Sequence, residues 1–398
     1  MTIDSFTTVN LAILVLGIGK WITQRIKILR DFNIPDPVVS GLLVSLAIWV
    51  LQATTGREIS FDMTARDFLL LAFFACVGLG SDLRTLLTGG IPLLVLAGIC
   101  LGFTYLQNFA AALTGAVVGI GSMAGLLGGS VSLVGGHGTV IAMAPEFAEK
   151  HGVSGAVEIG LACATLGLVA SALVGGPLAG FLINRHKLKP KTKEQPDIGA
   201  SLGKPREEMG YFSLLRVLFL MNISMMIGTL LYEKLQVAGI DMPEFVCTMF
   251  GGILVTNVLP VFGSKQSVVG TRPLALLSDI SLGVFLSMSL MSLQLWTIVA
   301  LAGPIVVLVV IQTAIAVIFA MLILFPLLGR DYEAAVTCAG FCGFTLGATP
   351  TAMANMAAVT QQYGNAHRAF VLVPLVGGFF LSVANALIVI QFLGWFGK

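Results

Sequence analysis

Two stretches combine glycine with hydroxyl side chains in an otherwise apolar chain, and the first also contains a histidine. They are Gly128–Thr139, with the sequence GGSVSLVGGHGT, and Gly340–Thr351, with the sequence GFCGFTLGATPT. Glycine lets a backbone turn sharply and approach a ligand closely. Hydroxyl groups and carbonyls freed from helical bonding suit a hard cation such as Na⁺, while the N–H groups at a helix start bind anions. Both stretches are therefore candidate binding segments.

The composition indicates that apolar, membrane-spanning segments surround these two stretches. The chain has 398 residues, 57% hydrophobic and 11% charged, with a mean hydropathy of +0.96. Soluble domains carry roughly 25% charged residues, and a spanning helix needs about 20 mostly apolar residues. Long apolar runs recur along the chain, which predicts an all-α polytopic membrane protein. The net charge of +2 gives no sign of a nucleic-acid partner, and the six cysteines lie in apolar runs, which predicts free thiols.

The apolar runs predict ten spans and two broken segments. Residues 1–183 form an N-terminal half with five spans and a broken segment at 121–150. Residues 184–210 are rich in Lys, Arg and Pro and predict an aqueous linker. Residues 211–398 form a C-terminal half with five more spans and a broken segment at 332–363. The predicted spans are 6–26, 35–54, 67–80, 91–114, 156–183, 211–232, 243–261, 276–295, 298–328 and 369–396.

The two halves share landmarks that indicate an internal duplication. Ile34-Pro35-Asp36 before the second span resembles Met242-Pro243-Glu244 before the seventh. His137 follows Asp67 by 70 residues, and Thr349 follows Asp279 by the same 70 residues. Each broken segment also ends in a glycine before the next span.

The distribution of basic residues predicts the orientation. A cytoplasmic linker places both termini in the periplasm and leaves five of the 22 basic residues outside, namely Arg57, Arg66, Lys150, Lys234 and Lys398. Five spans per half then make the repeats inverted. Inverted repeats allow two mirror-related states around a site near the midplane.

Each broken segment is interpreted as a re-entrant helical hairpin. Its arms, Ser122–Val134 and Thr139–Lys150 in the first, are about 12 residues or ~18 Å long, enough to reach the bilayer centre. The outgoing arms are predicted to start at Gly138-Thr139 and at Thr349-Pro350-Thr351, with threonine as the cap and proline in the first turn. Glycine-rich packing between helices is the alternative, but two such segments at corresponding positions favour a site where their tips meet.

The candidate residues follow from these tips and from polar groups within spans. The predicted substrate-binding set is Ser132, Gly135, Gly136, His137, Gly138, Thr139, Gly347, Ala348, Thr349, Thr351 and Asn355. The predicted Na⁺ ligands are Asp67, Ser130, Asp279, Thr345, Thr349 and Asn385. His137 is equally compatible with proton transfer, ligand binding or a structural hydrogen bond. An alternative interpretation of Asp67 and Asp279 is that they cap short helices. Asn108, Asn257 and Asn385 have the alternative interpretation that they form hydrogen bonds between helices.

Several motifs together resemble the glutamate:Na⁺ symporter family of bacteria. They are IPDPVVSGLL at 34–43, FDMTARDFLLLAFF at 61–74, GGSVSLVGGHGT at 128–139, EIGLACATLGLV at 158–169, GGP at 175–177 and GFCGFTLGATPTAMANM at 340–356. The resemblance covers nearly the whole chain. It implies L-glutamate uptake with Na⁺ across the inner membrane by a homodimer that moves as an elevator. Phe341, where some relatives have histidine, and Val140-Ile141 depart from the pattern.

Other functional classes fit parts of this pattern. A Na⁺-coupled transporter of citrate or another carboxylate is the main alternative, since it also needs opposed anion-binding tips. A channel would favour repeated carbonyl rings, whereas the two tips differ in sequence. An intramembrane hydrolase using Ser132 or His137 lacks a carboxylate at triad-like spacing, so no enzyme is predicted. The chain has no G-x-x-x-x-G-K-[ST] loop, so an ion gradient is the expected energy source.

Overall fold

The computed structural model describes residues 2–31, 34–55, 59–82, 90–190, 210–238, 242–258, 268–292 and 295–396. Within these ranges the chain is helical apart from short turns and two paired strands, Thr2–Ile3 (β1) and Ser60–Phe61 (β2), which run parallel. The helices of the first half are α1 (Ser5–Arg25), α2 (Lys27–Asp31), α3 (Asp36–Thr55), α4 (Thr64–Leu79), α5 (Gly90–Val117), α6 (Ser122–Leu126), α7 (Gly136–Glu149) and α8 (Ala156–His186).

The second half repeats this order. Its helices are α9 (Tyr211–Val237), α10 (Glu244–Val258), α11 (Arg272–Met291), α12 (Leu295–Phe319), α13 (Phe325–Leu327), α14 (Tyr332–Leu346), α15 (Thr349–Tyr363), α16 (His367–Leu375) and α17 (Leu381–Phe396). Three π-helical turns interrupt the pattern, at Leu127–Val131, Ala320–Leu324 and Val376–Phe380.

Every predicted span coincides with a helix, although some boundaries differ. The helix α8 continues to His186, so the first three residues of the predicted linker are helical. Residues 191–209 of that linker lie outside the described residues. The short third span begins at Thr64 rather than Asp67, and its 16 residues extend ~24 Å.

Seven of the described helices are long and apolar enough to cross a membrane. They are α1, α5, α8, α9, α11, the α12–α13 segment and the α16–α17 segment. The predicted spans in α3, α4 and α10 have shorter apolar helices. The chain is therefore a multi-pass α-helical membrane protein.

The helices fall into two compact units, and each unit takes elements from both halves. Unit 1 comprises residues 1–26, 35–87 and 202–295, with α1, α3, α4, α9, α10 and α11. Unit 2 comprises residues 27–34, 88–201 and 296–398, with the remaining helices and both broken segments.

Inside unit 1 the helix contacts come in matched pairs. Helix α1 packs on α3 as α9 packs on α10, and α3 packs on α11 as α10 packs on α4. The Ser45 hydroxyl donates to the Leu290 carbonyl, and the Thr256 hydroxyl donates to the Leu79 carbonyl at 2.7 Å. Each hydrogen bond joins the second span of one half to the third span of the other.

A second matched pair lies at the starts of α3 and α10. Thr23 Oγ1 donates to Asp36 Oδ1 at 2.5 Å, and Thr229 Oγ1 donates to Glu244 Oε1 at 3.0 Å. In both cases a threonine from the first span of its half donates to the carboxylate directly after the proline of the shared motif. The sequence landmarks at Asp36 and Glu244 therefore have the same local role.

Carboxylates also fix the ends of unit 1 helices at positions outside the spans. Asp4 caps α1 by accepting from the Thr7 hydroxyl at 2.7 Å and the Thr7 N–H at 3.0 Å. These bonds hold the pKa of Asp4 below its usual value. The backbone and hydroxyl of Thr64 likewise lower the pKa of Asp62 just before α4.

The core of unit 2 contains an aromatic cluster beside the second broken segment. Phe103 of α5 lies 4.9 Å from the rings of both Phe319 and Phe341, and Phe341 is 5.7 Å from Phe344. Phe341 is fully buried. At position 341, where the sequence departs from the resembled pattern, an apolar ring thus packs within the core beside α5 and α12.

Candidate functional site

The first broken segment, hairpin 1, comprises residues 122–149 in unit 2. Its incoming arm is α6 followed by the π-helical turn, within which Gly129 has a non-helical backbone (φ −91°, ψ −140°). A turn at Val134 and Gly135 separates it from α7. The outgoing helix begins at Gly136, which has φ +67°, so the predicted start at Gly138-Thr139 was wrong. His137, Gly138 and Thr139 belong to the first turn of α7 because the buried packing of this helix overrides the low helix propensity of glycine.

The second broken segment, hairpin 2, comprises Tyr332–Tyr363. Helix α14 ends at Leu346, the backbone breaks at Gly347 and Ala348, and α15 begins at Thr349. The predicted start with proline in the first turn is confirmed. The predicted threonine cap was wrong, because the cap residue is Ala348, which is extended (φ −155°, ψ 162°) and has no capping side chain. The N–H groups at the start of α15 consequently lack a local side-chain cap.

Both hairpin tips contact the same residue of α8. A Cβ added to Gly167 would collide with the carbonyl oxygen of Leu346 and would lie 2.5 Å from Cδ2 of Leu133. Leu133 ends the incoming arm of hairpin 1, and Leu346 ends that of hairpin 2. The predicted convergence of the tips is therefore present within unit 2, and only glycine fits at the point of contact.

Two further glycines extend this line along one face of α8. A Cβ on Gly160 would meet Val140 of α7, and a Cβ on Gly175 would meet the Asn355 amide of α15. Spacings of seven and eight residues place Gly160, Gly167 and Gly175 on one side of a helix. Helix α8 thus carries a groove of small residues into which both hairpins pack.

Ser130 in hairpin 1 is held by two asparagines from different helices. Asn108 of α5 accepts from the Ser130 N–H at 2.9 Å and donates to its hydroxyl at 2.8 Å. Asn385 of α17 donates to the Ser130 carbonyl at 3.1 Å. All three side chains are buried. The Ser130 carbonyl also accepts from the Gly135 N–H at 2.9 Å. The two asparagines therefore tie the π-helical turn to α5 and α17, which agrees with the alternative interpretation of Asn108 and Asn385 as interhelical hydrogen-bonding residues.

His137 lies at the start of α7 and faces α8. Its Nε2 is 3.0 Å from Oγ1 of Thr165, and that hydroxyl donates to the Leu161 carbonyl at 2.8 Å. The Thr165 hydroxyl thus links the His137 ring to the Leu161 carbonyl of α8. This arrangement fits a hydrogen bond that positions the first turn of α7.

Thr345 at the tip of hairpin 2 is bound through its backbone. Its carbonyl accepts from Nε2 of Gln107 at 2.9 Å, and its hydroxyl donates to the Phe341 carbonyl at 2.7 Å. Gln312 of α12 in turn donates to the Gln107 carbonyl at 3.0 Å. Gln107 and Gln312 were missed by the sequence analysis, although each is a polar residue inside an apolar run.

Asn355 and Thr351 lie on α15. Asn355 donates to the Ser171 carbonyl of α8 at 3.0 Å, which fixes α15 against α8. Thr351 is fully buried, and its hydroxyl has no hydrogen-bond partner in the described part of the chain. Ser132 is buried, with its hydroxyl 3.4 Å from the Gly129 carbonyl.

The two predicted acidic ligands belong to unit 1, whereas the hairpins belong to unit 2. Asp67 is in the first turn of α4, has a 60% exposed side chain and forms an ion pair with Arg66 at 2.6 Å. That geometry favours the alternative interpretation of Asp67 as a helix-end carboxylate. Asp279 lies within α11 and is exposed.

The convergence region is built from neutral groups. Residues 122–144, 159–184 and 334–366 contain no Asp, Glu, Lys or Arg. No group of three His, Cys, Asp or Glu side chains capable of holding a metal occurs in the described ranges. The six cysteines are buried free thiols, as predicted. The available ligands are hydroxyls, carboxamides, backbone carbonyls and helix N–H groups.

Unpaired oxygens indicate that neutral ligands for a cation are present. In the described part of unit 2, four buried side-chain oxygens have no hydrogen-bond partner: Gln107 Oε1, Gln312 Oε1, Thr351 Oγ1 and Asn385 Oδ1. Leaving a buried acceptor unpaired costs about 1–3 kcal/mol. Oxygens of this kind suit a hard monovalent cation without a charged ligand.

These features define a class, namely multi-pass α-helical membrane proteins in which two broken helical segments pack against one helix. Broken helices inside a membrane protein are typical of ion-coupled transporters. The model of the sodium/glutamate symporter family matches residues 1–365. The chain belongs to the sodium/glutamate symporter family, and the resemblance in the sequence is thereby confirmed.

Two relatives illustrate how far the similarity extends. The sodium/glutamate symporter of Escherichia coli (strain K12) is 37% identical over 401 residues, which cover 98% of each chain. The sodium/glutamate symporter of Haemophilus influenzae (strain ATCC 51907 / DSM 11121 / KW20 / Rd) is 38% identical over 389 residues, which cover 97% of this chain and 96% of the relative. These names describe transporters and not enzymes.

Proposed function

We propose that this protein takes up L-glutamate together with Na⁺ across the bacterial inner membrane. Family membership over nearly the whole chain supports the activity, and relatives with this name span almost the full length. The observation that supports the proposed position of the binding site is the packing of both hairpin tips against Gly167. The citrate alternative receives no support from the family or from these relatives.

The carboxylates of glutamate are proposed to bind at the starts of α7 and α15. Both helices begin at a hairpin tip without a side-chain cap, so their first N–H groups are available to an anion. The contact set is the predicted one: Ser132, Gly135, Gly136, His137, Gly138, Thr139, Gly347, Ala348, Thr349, Thr351 and Asn355.

Na⁺ is proposed to bind close to the same tips through neutral oxygens. Asn385 Oδ1 is buried and unpaired, so Asn385 is the leading candidate. Ser130 is the predicted ligand next to it, since its carbonyl accepts from the Asn385 amide. Thr345 and Thr349 supply oxygens on hairpin 2. Asp67 and Asp279 remain proposed ligands with weaker support, since they lie in the other unit.

Electrostatics explains why the two solutes would travel together. Glutamate carries a net charge of −1, and burying a net charge in a low-dielectric site is costly. The convergence region has no cationic Lys or Arg side chain to compensate. A bound Na⁺ supplies that charge, so each solute raises the affinity for the other by the same factor.

Alternating access is proposed to follow from inverted repeats. The matched helix pairs of unit 1 and the five predicted spans per half support this arrangement. Unit 2 contains both hairpins and is the proposed transport domain of an elevator, with unit 1 as the scaffold of a homodimer. Both termini are proposed to be periplasmic and the linker cytoplasmic.

Uptake by purified protein in proteoliposomes tests this function. Labelled L-glutamate should accumulate when NaCl is outside and choline chloride inside, and it should not accumulate with a proton gradient alone. Excess unlabelled citrate should leave the uptake unchanged. Equal accumulation without Na⁺ would remove the coupling, and competition by citrate would favour the other carboxylate.

A further inference from the structure

Two linked glutamines beside hairpin 2 have an unusual hydrogen-bonding state. Gln107 of α5 and Gln312 of α12 are both fully buried, and each has an unpaired side-chain oxygen within the described residues. Neither belongs to the site proposed above. The two helices are the fourth predicted span of each half.

The partners of the two amides fix which atom is unpaired. Gln107 Nε2 contacts the Thr345 carbonyl at 2.9 Å, and Gln312 Nε2 contacts the Gln107 carbonyl at 3.0 Å. A carbonyl oxygen only accepts hydrogen bonds. Turning either amide over would place two oxygens against each other, so the nitrogens must face these carbonyls and the Oε1 atoms must point elsewhere.

The alternative is that both glutamines only connect helices through hydrogen bonds. That role explains the Nε2 hydrogen bonds, but it leaves two buried acceptors unpaired at a cost of about 1–3 kcal/mol each. A methionine or leucine would fill the same volume without that cost. The unpaired oxygens therefore call for a ligand that binds oxygen.

The chemistry of the cluster selects a monovalent cation. Carboxamide oxygens are hard ligands, which alkali and alkaline-earth cations prefer. Divalent cations usually take carboxylates, and none lies at residues 91–117 or 301–328 of the two spans. Amides do not titrate near neutral pH, so the cluster is unsuited to carrying a proton.

We propose that Gln107 and Gln312 supply their Oε1 atoms to a Na⁺ site beside the tip of hairpin 2. This inference rests on the proposed Na⁺ coupling and adds ligands to it. Gln107 joins this site directly to the Thr345 carbonyl, two residues before the break at Gly347. Cation binding would therefore position the hairpin tip before glutamate arrives.

The test replaces Gln312, because Gln107 is the glutamine that donates a hydrogen bond to hairpin 2. Gln312→Met keeps the volume and removes the oxygen. Asn222→Leu is the control, because the Asn222 amide of α9 in unit 1 donates to the Leu218 carbonyl of its own helix at 3.0 Å. Purified full-length proteins are melted in NaCl and in choline chloride of equal ionic strength. Ligand binding to the folded state raises the melting temperature.

The expected result is a loss of Na⁺ affinity without a loss of stability. Gln312→Met should melt at or above the wild-type temperature in choline, and its half-saturating Na⁺ concentration should rise at least tenfold in melting and in uptake. Asn222→Leu should keep the wild-type Na⁺ response. A folded Gln312→Met with unchanged Na⁺ affinity overturns the inference, whereas wild-type protein without Na⁺ dependence overturns the proposed function as well.

A second variant decides the case if Gln312→Met does not fold. Gln312→Glu places a carboxylate at the same position, and a buried unpaired charge destabilises a protein strongly. If Na⁺ binds there, NaCl should restore the melting temperature of this variant and choline chloride should not. Equal destabilisation in both salts contradicts the inference.

Discussion

Thr351 and Ser130 are buried hydroxyl residues of the two hairpins with opposite hydrogen-bonding states. The Thr351 hydroxyl is fully buried in the first turn of α15 and has no hydrogen-bond partner among the described residues. An unpaired buried hydroxyl is costly, so a site residue is a better explanation than a packing residue. Ser130 is the opposite case, since its N–H, hydroxyl and carbonyl are all bonded to asparagines. Ser130 is held in place, while Thr351 has an oxygen to offer.

Replacing Thr351 by valine should separate stability from binding. The isosteric Thr351→Val variant removes only the unpaired oxygen, so the ligand-free protein should melt at or slightly above the wild-type temperature. Its affinity for glutamate in saturating Na⁺ should fall about tenfold, which corresponds to ~1.4 kcal/mol. Thermal melting and calorimetric titration in detergent measure the two quantities.

Thr360→Val is the matched control on the same helix. The Thr360 hydroxyl is also buried, but it donates to the Ala357 carbonyl at 3.1 Å. This control should lose a little stability and keep its glutamate affinity. If Thr351→Val instead binds glutamate as well as the wild type does, Thr351 is not part of the site.

At the scale of elements, α7 has a left-handed glycine at each end. Gly136 at its start has φ +67°, and Gly152 beyond its end has φ +66°. A Cβ on either would meet no atom within 4 Å. The two positions therefore impose the same backbone requirement, and they differ in that only Gly136 lies at the hairpin tip.

This symmetry gives a matched pair of substitutions. Gly136→Ala and Gly152→Ala should each cost about 1–2 kcal/mol, the penalty of the left-handed region for a residue with a Cβ. Only Gly136→Ala should also reduce glutamate uptake, by at least tenfold, because relaxation of its backbone moves the N–H groups of the tip. Melting temperatures and proteoliposome uptake test this, and equal uptake by the two variants would contradict the role assigned to the start of α7.

The starts of α7 and α15 could be predicted only where the sequence contains a local signal for a helix start. Pro350 placed the start of α15 correctly, since proline fits the first turn of a helix and few other places in one. The GGHGT sequence gave no comparable signal, and α7 begins earlier than predicted because packing against α8 stabilises a glycine-rich turn. Gln107 could not be assigned from the sequence, because its partner at Thr345 is 238 residues away.

At the scale of the whole molecule, the two units do not correspond to the two sequence halves. Unit 1 takes three predicted spans from each half, and unit 2 takes two predicted spans and one broken segment from each half. The contacts between helices of unit 1 repeat when the halves are exchanged. The proline motifs and the equal spacings predict an internal duplication, and the matched helix contacts of unit 1 agree with that prediction. The regrouping into units was not predictable, because it depends on contacts between α3 and α11 and between α4 and α10 that no local pattern encodes.

The proposed orientation predicts which positions a membrane-impermeant maleimide reaches. Ser201→Cys in the linker should be labelled only after intact cells are permeabilised, and Lys398→Cys at the C-terminus should be labelled in intact cells. The six native cysteines are buried, so the wild-type protein supplies a low background. The reverse labelling pattern would contradict inverted five-span repeats with periplasmic termini.

Na⁺-dependent glutamate binding by two α8 variants tests the central claim, that the site forms where both hairpin tips meet α8. Gly167→Ala places a methyl group against Leu346 and Leu133, whereas the same change at Gly176 on the same helix meets no atom within 4 Å. Calorimetric titration of the purified proteins should show that Gly176→Ala binds as the wild type does, and that Gly167→Ala stays folded but loses at least tenfold in affinity. Wild-type affinity in a folded Gly167→Ala would contradict the claim.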